Sequence, residues 1–261
     1  MDLATSLLND KTDISSNVQI RLNENVPTNN PCNTWQEFVF QKISEKNFST
    51  LLEVGCGNGL LWKKNEHQIN NNWNIHLSDS SPNVVHEAQA NLCHLSNINF
   101  WVFPITGIAF NDNIFNVVLA NQMLHRVNNI SAALTEIKRV LAQDGIFYAA
   151  SGTIHHQKEL FDFIADATGV LIPNDIQSFT NHNAVEPLSN FFDTIDITYY
   201  KDELKIHDDD ALIDYFSALR SIKTQDSLFK SKLFEYIRQY FLNHEFFSIT
   251  KEFVLFTCSD L

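Results

Sequence analysis

Glycine is scarce in this chain, with seven residues in 261, alongside six prolines and two methionines. Cysteine is scarce too: Cys32, Cys56, Cys93 and Cys258 show neither metal-type spacing nor a paired framework. Four reduced thiols are the expectation. Basic charge is short as well. The formal net charge is −13 and no run of Lys and Arg exceeds two, so a nucleic-acid partner is not expected. No apolar run approaches the length that crosses a bilayer, and the first thirty residues carry no cationic-plus-apolar leader. A soluble, cytoplasmic protein without membrane association is therefore expected. Also missing are a His-Glu-x-x-His helix, a Gly-x-Ser-x-Gly elbow and a phosphate loop ending in Gly-Lys-Ser/Thr. Metal chemistry, acyl transfer through serine and nucleotide hydrolysis lose their usual signatures, and no metal is expected.

Against that scarcity, three of the seven glycines fall within five positions, Gly55, Gly57 and Gly59. The apolar run Leu51-Leu52-Glu53-Val54 precedes them and Leu60-Leu61-Trp62 follows. A buried strand entering a glycine loop and then a helix forms a ligand crevice at the carboxyl edge of an open α/β sheet. A dinucleotide fingerprint would need glycine at the sixth place of the loop, where Leu60 stands. Glu53 would repel a pyrophosphate and suits a cationic amine instead. A nicotinamide-dependent dehydrogenase is accordingly disfavoured.

The rest of the pattern alternates strands and helices. Thr34 with Glu37 forms a capping-box signature ahead of a helix bearing Trp35, Phe38, Val39 and Ile43. Residues 1 to about 33 read as a polar arm. Trp73 to Asp79 alternates as a second strand, and an acid at its carboxyl end is placed to accept from vicinal ribose hydroxyls. Ser80 and Ser81 precede a helix that starts at Pro82. Ile98–Phe103 is a third strand. The run from Ile114 to Asn121 reads as a central parallel strand buried on both faces. Asn129 then caps a helix striped by Ile130, Ala133, Leu134, Ile137, Val140 and Leu141. Ile146–Ser151, Phe191–Tyr200 and Lys251–Cys258 complete the strands, and two amphipathic helices lie between the last two. With 44% hydrophobic residues and 21 phenylalanines, one domain over 34–261 is expected, with a helical cap at about 205–245.

The segment Leu-Glu-Val-Gly-Cys-Gly-Asn-Gly resembles the first motif of class I S-adenosylmethionine-dependent methyltransferases of the small-molecule type. The resemblance covers roughly residues 20 to 155, and the cap more loosely. It implies an α/β fold with a doubly wound, seven-stranded, mostly parallel Rossmann-like sheet. An N-terminal helical arm and a helical cap before the last strand go with it. The implied cofactor is S-adenosyl-L-methionine. Its amino-acid end would lie on Gly55, Cys56, Gly57 and Gly59 with Glu53 towards the amine. Asp79 and Ser80 would meet the ribose, Ile105 and Thr106 the adenine, and Asn121 and Gln122 the junction of donor and acceptor. Three places depart from the family pattern: Pro104 holds the site of an acid, Asn116 that of an aspartate, and Ala142–Asp144 that of Lys-Pro-Gly.

Methyl transfer from a sulfonium is an in-line displacement that alignment alone can drive. Where a hydroxyl or protonated amine is the acceptor, a histidine base would help. His125 at the carboxyl edge of the fourth strand is the first candidate, with His155 and His156 next. The expected function is methylation of a small molecule on O, N or C. A protein methyltransferase and a methyltransferase-like cofactor-binding protein acting through a partner are the alternatives.

Overall fold

A computed structural model of the chain describes residues 19–23, 34–172 and 178–260. In chain order the elements are β1 (Gln19–Asn23), α1 (Trp35–Ser44), β2 (Thr50–Val54), α2 (Leu60–Lys64), β3 (Asn74–Asp79), α3 (Pro82–Leu92), β4 (Ile98–Val102) and β5 (Phe115–Asn121). There follow α4 (Ile130–Val140), β6 (Leu141–Gly152), α5 (Lys158–Thr168), α6 (Val185–Ser189), β7 (Thr194–Ile206), α7 (Asp209–Ala218), α8 (Arg220–Lys223), α9 (Ser227–Phe241) and β8 (Phe247–Ser259). They build one eight-stranded sheet of order β1-β7-β8-β6-β5-β2-β3-β4. Only β8 runs antiparallel to its neighbours. The expected seven-stranded arrangement is the part from β7 to β4.

The eighth strand is a correction to the reading of residues 1–33 as an arm without strands. Gln19–Asn23 pairs in parallel with Thr194–Thr198 at the sheet edge. The remainder of that arm lies outside the described residues.

Side-chain caps start four of the nine described α-helices, α1, α4, α7 and α9. Thr34 Oγ1 accepts from the Glu37 amide at 3.3 Å while Glu37 accepts from the Thr34 amide at 3.0 Å. This is the reciprocal box that the sequence signals, and it sets the first turn of α1. Asn129 Oδ1 accepts from the Ala132 amide at 3.0 Å and starts α4. Pro82 stands at the first turn of α3, but the Ser81 hydroxyl makes no capping bond.

Central strands are buried on both faces because helices cover both sides. One apolar core includes Leu52, Val118, Phe147 and Phe256. The other includes Leu51, Trp62, Val117 and Leu255. Successive residues of one strand thus enter opposite cores, as the two-residue period requires. At the amino edge, Asn116 Oδ1 accepts from the backbone amides of Ser49 and Thr50 at 3.1 Å each, and from both hydroxyls. The departure from aspartate therefore serves as a fastener between β2 and β5, remote from the carboxyl edge.

The C-terminal strands are longer than their patterns suggest. β7 and β8 pair over thirteen residues each, to Ile206 and Phe247. β6 follows β8 only as far as Gly152 opposite Phe253. A two-stranded ribbon therefore projects past the carboxyl edge of the sheet. Helices α5, α7 and α9 wrap it into a third core containing Leu160, Phe163, Phe216, Leu233, Phe247 and Ile249.

Candidate functional site

The sheet reverses its winding between β2 and β5: β3 and β4 are added on one side of β2, and β5 on the other. Open α/β sheets leave a crevice at such a switch point, outside the carboxyl ends of the strands. A cleft of about 870 Å³ occupies that place. Its wall contains Glu53, Gly55, Cys56, Gly57, Asp79, Ser80, Ile105, Thr106, Asn121 and Gln122. Every residue assigned to a cofactor from the sequence is there except Gly59.

The glycines serve three different ends. All three take positive φ, 68° at Gly55, 57° at Gly57 and 75° at Gly59. A Cβ on Gly55 would stand 2.8 Å from Met123 Cγ, and one on Gly59 would stand 2.6 Å from Leu92 Cδ1. These two let the loop pack against the β5 turn and α3. Nothing lies within 4 Å of the corresponding point on Gly57, which faces the open cleft. Gly59 is thus a packing glycine, and the sequence could not separate it from the other two.

Two carboxylates border the cleft at the tips of β2 and β3. Glu53 is buried and accepts from Trp62 Nε1 at 2.6 Å. Burial pushes its carboxyl up to about 8; the indole bond opposes that shift, and the Asp79 charge adds to it. Asp79 Oδ2 accepts from the Gly57 amide at 3.3 Å and Oδ1 from the Ser81 amide at 3.0 Å. The Ser81 amide, rather than its hydroxyl, is what the site uses. A carboxylate has about four acceptor positions, so Asp79 keeps capacity for two further donors. Burial also raises the Cys56 thiol well above its ordinary range, with the Glu53 and Asp79 charges adding to the effect. It is a loop-packing group, held out of thiolate chemistry.

The opposite wall is held from α4. Arg139 donates to the carbonyls of Phe110 and Ile108, to Asp112 and to Glu136. Glu136 accepts in turn from the Ile108 amide at 2.8 Å. This clamp fixes the segment after β4 whose Phe103, Pro104, Ile105 and Thr106 line the cleft. Pro104, in the place of the family's acid, presents ring carbons and a carbonyl there; the Gly107 amide takes the carbonyl at 3.0 Å.

Beyond β5 the chain turns tightly. Gln122 has φ 54°, unusual for a residue with a side chain, and its amide donates to the Ala150 carbonyl at 2.9 Å. Asn121 Oδ1 accepts from Trp35 Nε1 at 3.1 Å, which binds α1 to this corner. The sequence reasoning missed Gln36 and Arg126, which also line the cleft. Only their neighbours, the Trp35 stripe and Gln122, carried a signal.

The histidines fall elsewhere. His125 sits in the 3₁₀ turn Leu124–Arg126 and His155 is exposed after β6; neither lines this cleft. The two main helices of the expected cap, α7 and α9, do not line the cleft. The apolar stripes of α7 and α9 are satisfied by α5 and the β7–β8 ribbon, and no residue of 205–245 lines the cleft. Among the described residues, no helix is long and apolar enough to cross a membrane.

Comparison with known proteins agrees with this architecture. Residues 52–149 match the family model described as "Methyltransferase domain". YrhH of Bacillus subtilis (strain 168), provisionally assigned as a methyltransferase, is 28% identical over 126 residues, 48% of this chain and 70% of that protein. The crystal structure of YcgJ from Bacillus subtilis superposes with a TM-score of 0.55 at 16% identity, covering 86% of this chain and 97% of that one. A provisionally assigned methyltransferase from Bacillus halodurans C-125 gives 0.56 at 14% identity, covering 85% and 96%. The chain has the Rossmann-like fold seen in methyltransferases, and its residues 52–149 are similar to the methyltransferase domain.

Proposed function

We propose that this protein transfers the methyl group of S-adenosyl-L-methionine to a small-molecule acceptor. One observation carries the reading: Glu53 and Asp79, at the tips of adjacent strands, border a single cleft floored by Gly57. The donor set fits that cofactor. Glu53 would take the cationic amine, Asp79 the two ribose hydroxyls, and the space left by the missing Gly57 side chain the amino-acid end. Ile105 and Thr106 would meet the adenine through the backbone. When bound, the cofactor supplies an electrophilic methyl group on a sulfonium.

The chain's own contribution is placement. Alignment of two reactants can remove several kcal/mol from a barrier, about 7–11 in favourable cases, without an acid or base. Glu53 changes state on binding. Burial keeps its carboxyl largely protonated at neutral pH, and an arriving ammonium stabilises the ionised form. Trp62 holds the carboxyl in place throughout. The Arg139 clamp and the Trp35–Asn121 bond keep the far wall and the β5 corner from yielding.

An enclosed small-molecule site, rather than a protein groove, is favoured by α1. Its Gln36 lines the cleft while its Trp35 is buried against the β5 corner. Isothermal calorimetry with the demethylated product, S-adenosylhomocysteine, tests the cofactor half of the proposal. Binding to the wild-type protein with no heat from NAD is the expected result. Absence of product binding would overturn it.

A further inference from the structure

The cofactor reading uses the acids of the cleft and leaves its cation unassigned. Among the described residues that line the cleft, Glu53, Asp79 and Glu87 are acidic and Arg126 alone is basic. Arg126 closes the 3₁₀ turn that follows β5, and it is exposed. Its Nε donates to His125 Nε2 at 3.2 Å, which orients the guanidinium and leaves both Nη groups for another partner. The turn is fastened at two points. The Arg126 amide donates to the Met123 carbonyl at 3.0 Å, and Ser178 Oγ donates to the His125 carbonyl. Among the described residues no carboxylate pairs with the guanidinium, although the chain carries 31 acidic residues against 18 basic ones.

The geometry of the cleft says which ligand chemistry would meet it. A guanidinium offers a planar fork of N–H groups that matches the two oxygens of a carboxylate. The glycine loop has few donors to offer in competition. Its Cys56 amide goes to the Ser78 carbonyl at 2.9 Å, its Gly57 amide to Asp79 Oδ2 at 3.3 Å and its Gly59 amide to the Cys56 carbonyl at 3.1 Å. The turn that carries Arg126 packs directly on this loop, since a Cβ on Gly55 would stand 2.8 Å from Met123 Cγ. Next to Arg126 in the wall come Asn128 and Asn129, the latter capping the eleven-residue α4. The amino end of that helix favours a negative ligand as well.

We infer that Arg126 binds a carboxylate in the cleft, on the side of the turn after β5. The inference rests on the methyl-transfer reading. Two sources share this chemistry: the amino-acid end of the cofactor, and an acceptor that carries a carboxylate of its own. Arg126 would hold and orient that group, with no proton transfer.

Calorimetry on the full chain, wild type and Arg126→Gln, separates the sources. S-adenosylhomocysteine carries an α-carboxylate; 5′-methylthioadenosine keeps the adenosine and sulfur and lacks the amino-acid end. If the cofactor supplies the carboxylate, the variant should bind S-adenosylhomocysteine about tenfold more weakly and 5′-methylthioadenosine as wild type does. If the acceptor supplies it, both affinities stay unchanged and the second arm responds. There, wild type labelled with ¹⁵N-arginine is saturated with S-adenosylhomocysteine and titrated with acetate or acetamide at one ionic strength. Acetate should move the Arg126 Nε signal, assigned by its absence from the variant, and acetamide should leave it in place. Unchanged affinities together with a signal that ignores acetate would overturn the inference. Equal loss for both nucleosides would overturn it too, because the guanidinium would then serve the adenosine. Failure of wild type to bind S-adenosylhomocysteine would count against the methyl-transfer reading instead. Arg126 belongs to none of the apolar cores, so the variant should fold.

Discussion

The two ends of this sheet solve different problems with the same material. From β2 to β5, short strands stop at one level and their tips carry Glu53, Asp79 and Asn121 to a common cleft. At the other end β7 and β8 overshoot the edge, and the excess length is absorbed by helices that bury aromatic stripes. Polar chemistry is concentrated in the first region, apolar mass in the second. The cap is consequently a stability unit beside the cleft, whereas the glycine loop packs through Gly55, Cys56 and Gly59 and keeps its open face at Gly57.

That contrast can be broken in descending order of effect. Phe216 is fully buried in the third core, so Phe216→Ala should cost about 3–5 kcal/mol of unfolding free energy in urea. Affinity for S-adenosylhomocysteine should be retained wherever the variant is folded. A parallel loss of affinity would show that cap and cleft form one unit. Asp79→Ala reverses the pattern. Its known partners are two backbone amides, so the fold should persist while product affinity falls about 100-fold by calorimetry.

The third test is a pH profile. The Glu53 carboxyl is raised by burial to about 8 in the folded chain, against 4.5 unperturbed. Between those values the folded state holds a proton that the unfolded state has lost, so stability falls as pH rises from about 4.5 to 8. The slope reaches about 1.4 kcal/mol per pH unit at its steepest. Urea titrations at pH 5 to 9 should show this decline in wild type and its loss in Glu53→Gln; a profile shared by both would contradict the assignment. Arg139→Ala gives the smallest effect. Loss of its bonds to the Ile108 and Phe110 carbonyls should lower product affinity about five-fold, near 1 kcal/mol, with the β2–β3 side of the cleft unchanged by amide NMR shifts.

Legibility from sequence followed the range of the interactions. The capping box at Thr34, the Asn129 cap and the strand ending at Glu53 rest on contacts within a few residues, and each could be read directly. The position of Asp79 followed from its register with the glycine loop, which parallel pairing of β2 and β3 preserves. β1 escaped notice because its partner lies at 194–198, far along the chain, and five residues carry too little pattern to reveal a strand. The stripes of α7 and α9 were visible, but amphipathicity says that a face will be buried and leaves its partner open. Here α5 and the ribbon reached those faces first. Gly59 taught the same lesson at smaller scale: a shared need for positive φ hid a contact with Leu92.

The bond between the Trp62 indole and Glu53 gives the protein an optical consequence. An indole N–H that ends on a carboxyl group feels that group's charge directly, so ionising Glu53 should alter the emission of a fluorophore sealed from solvent. Ligand arrival, reported from within, could then be followed at nanomolar protein without any label.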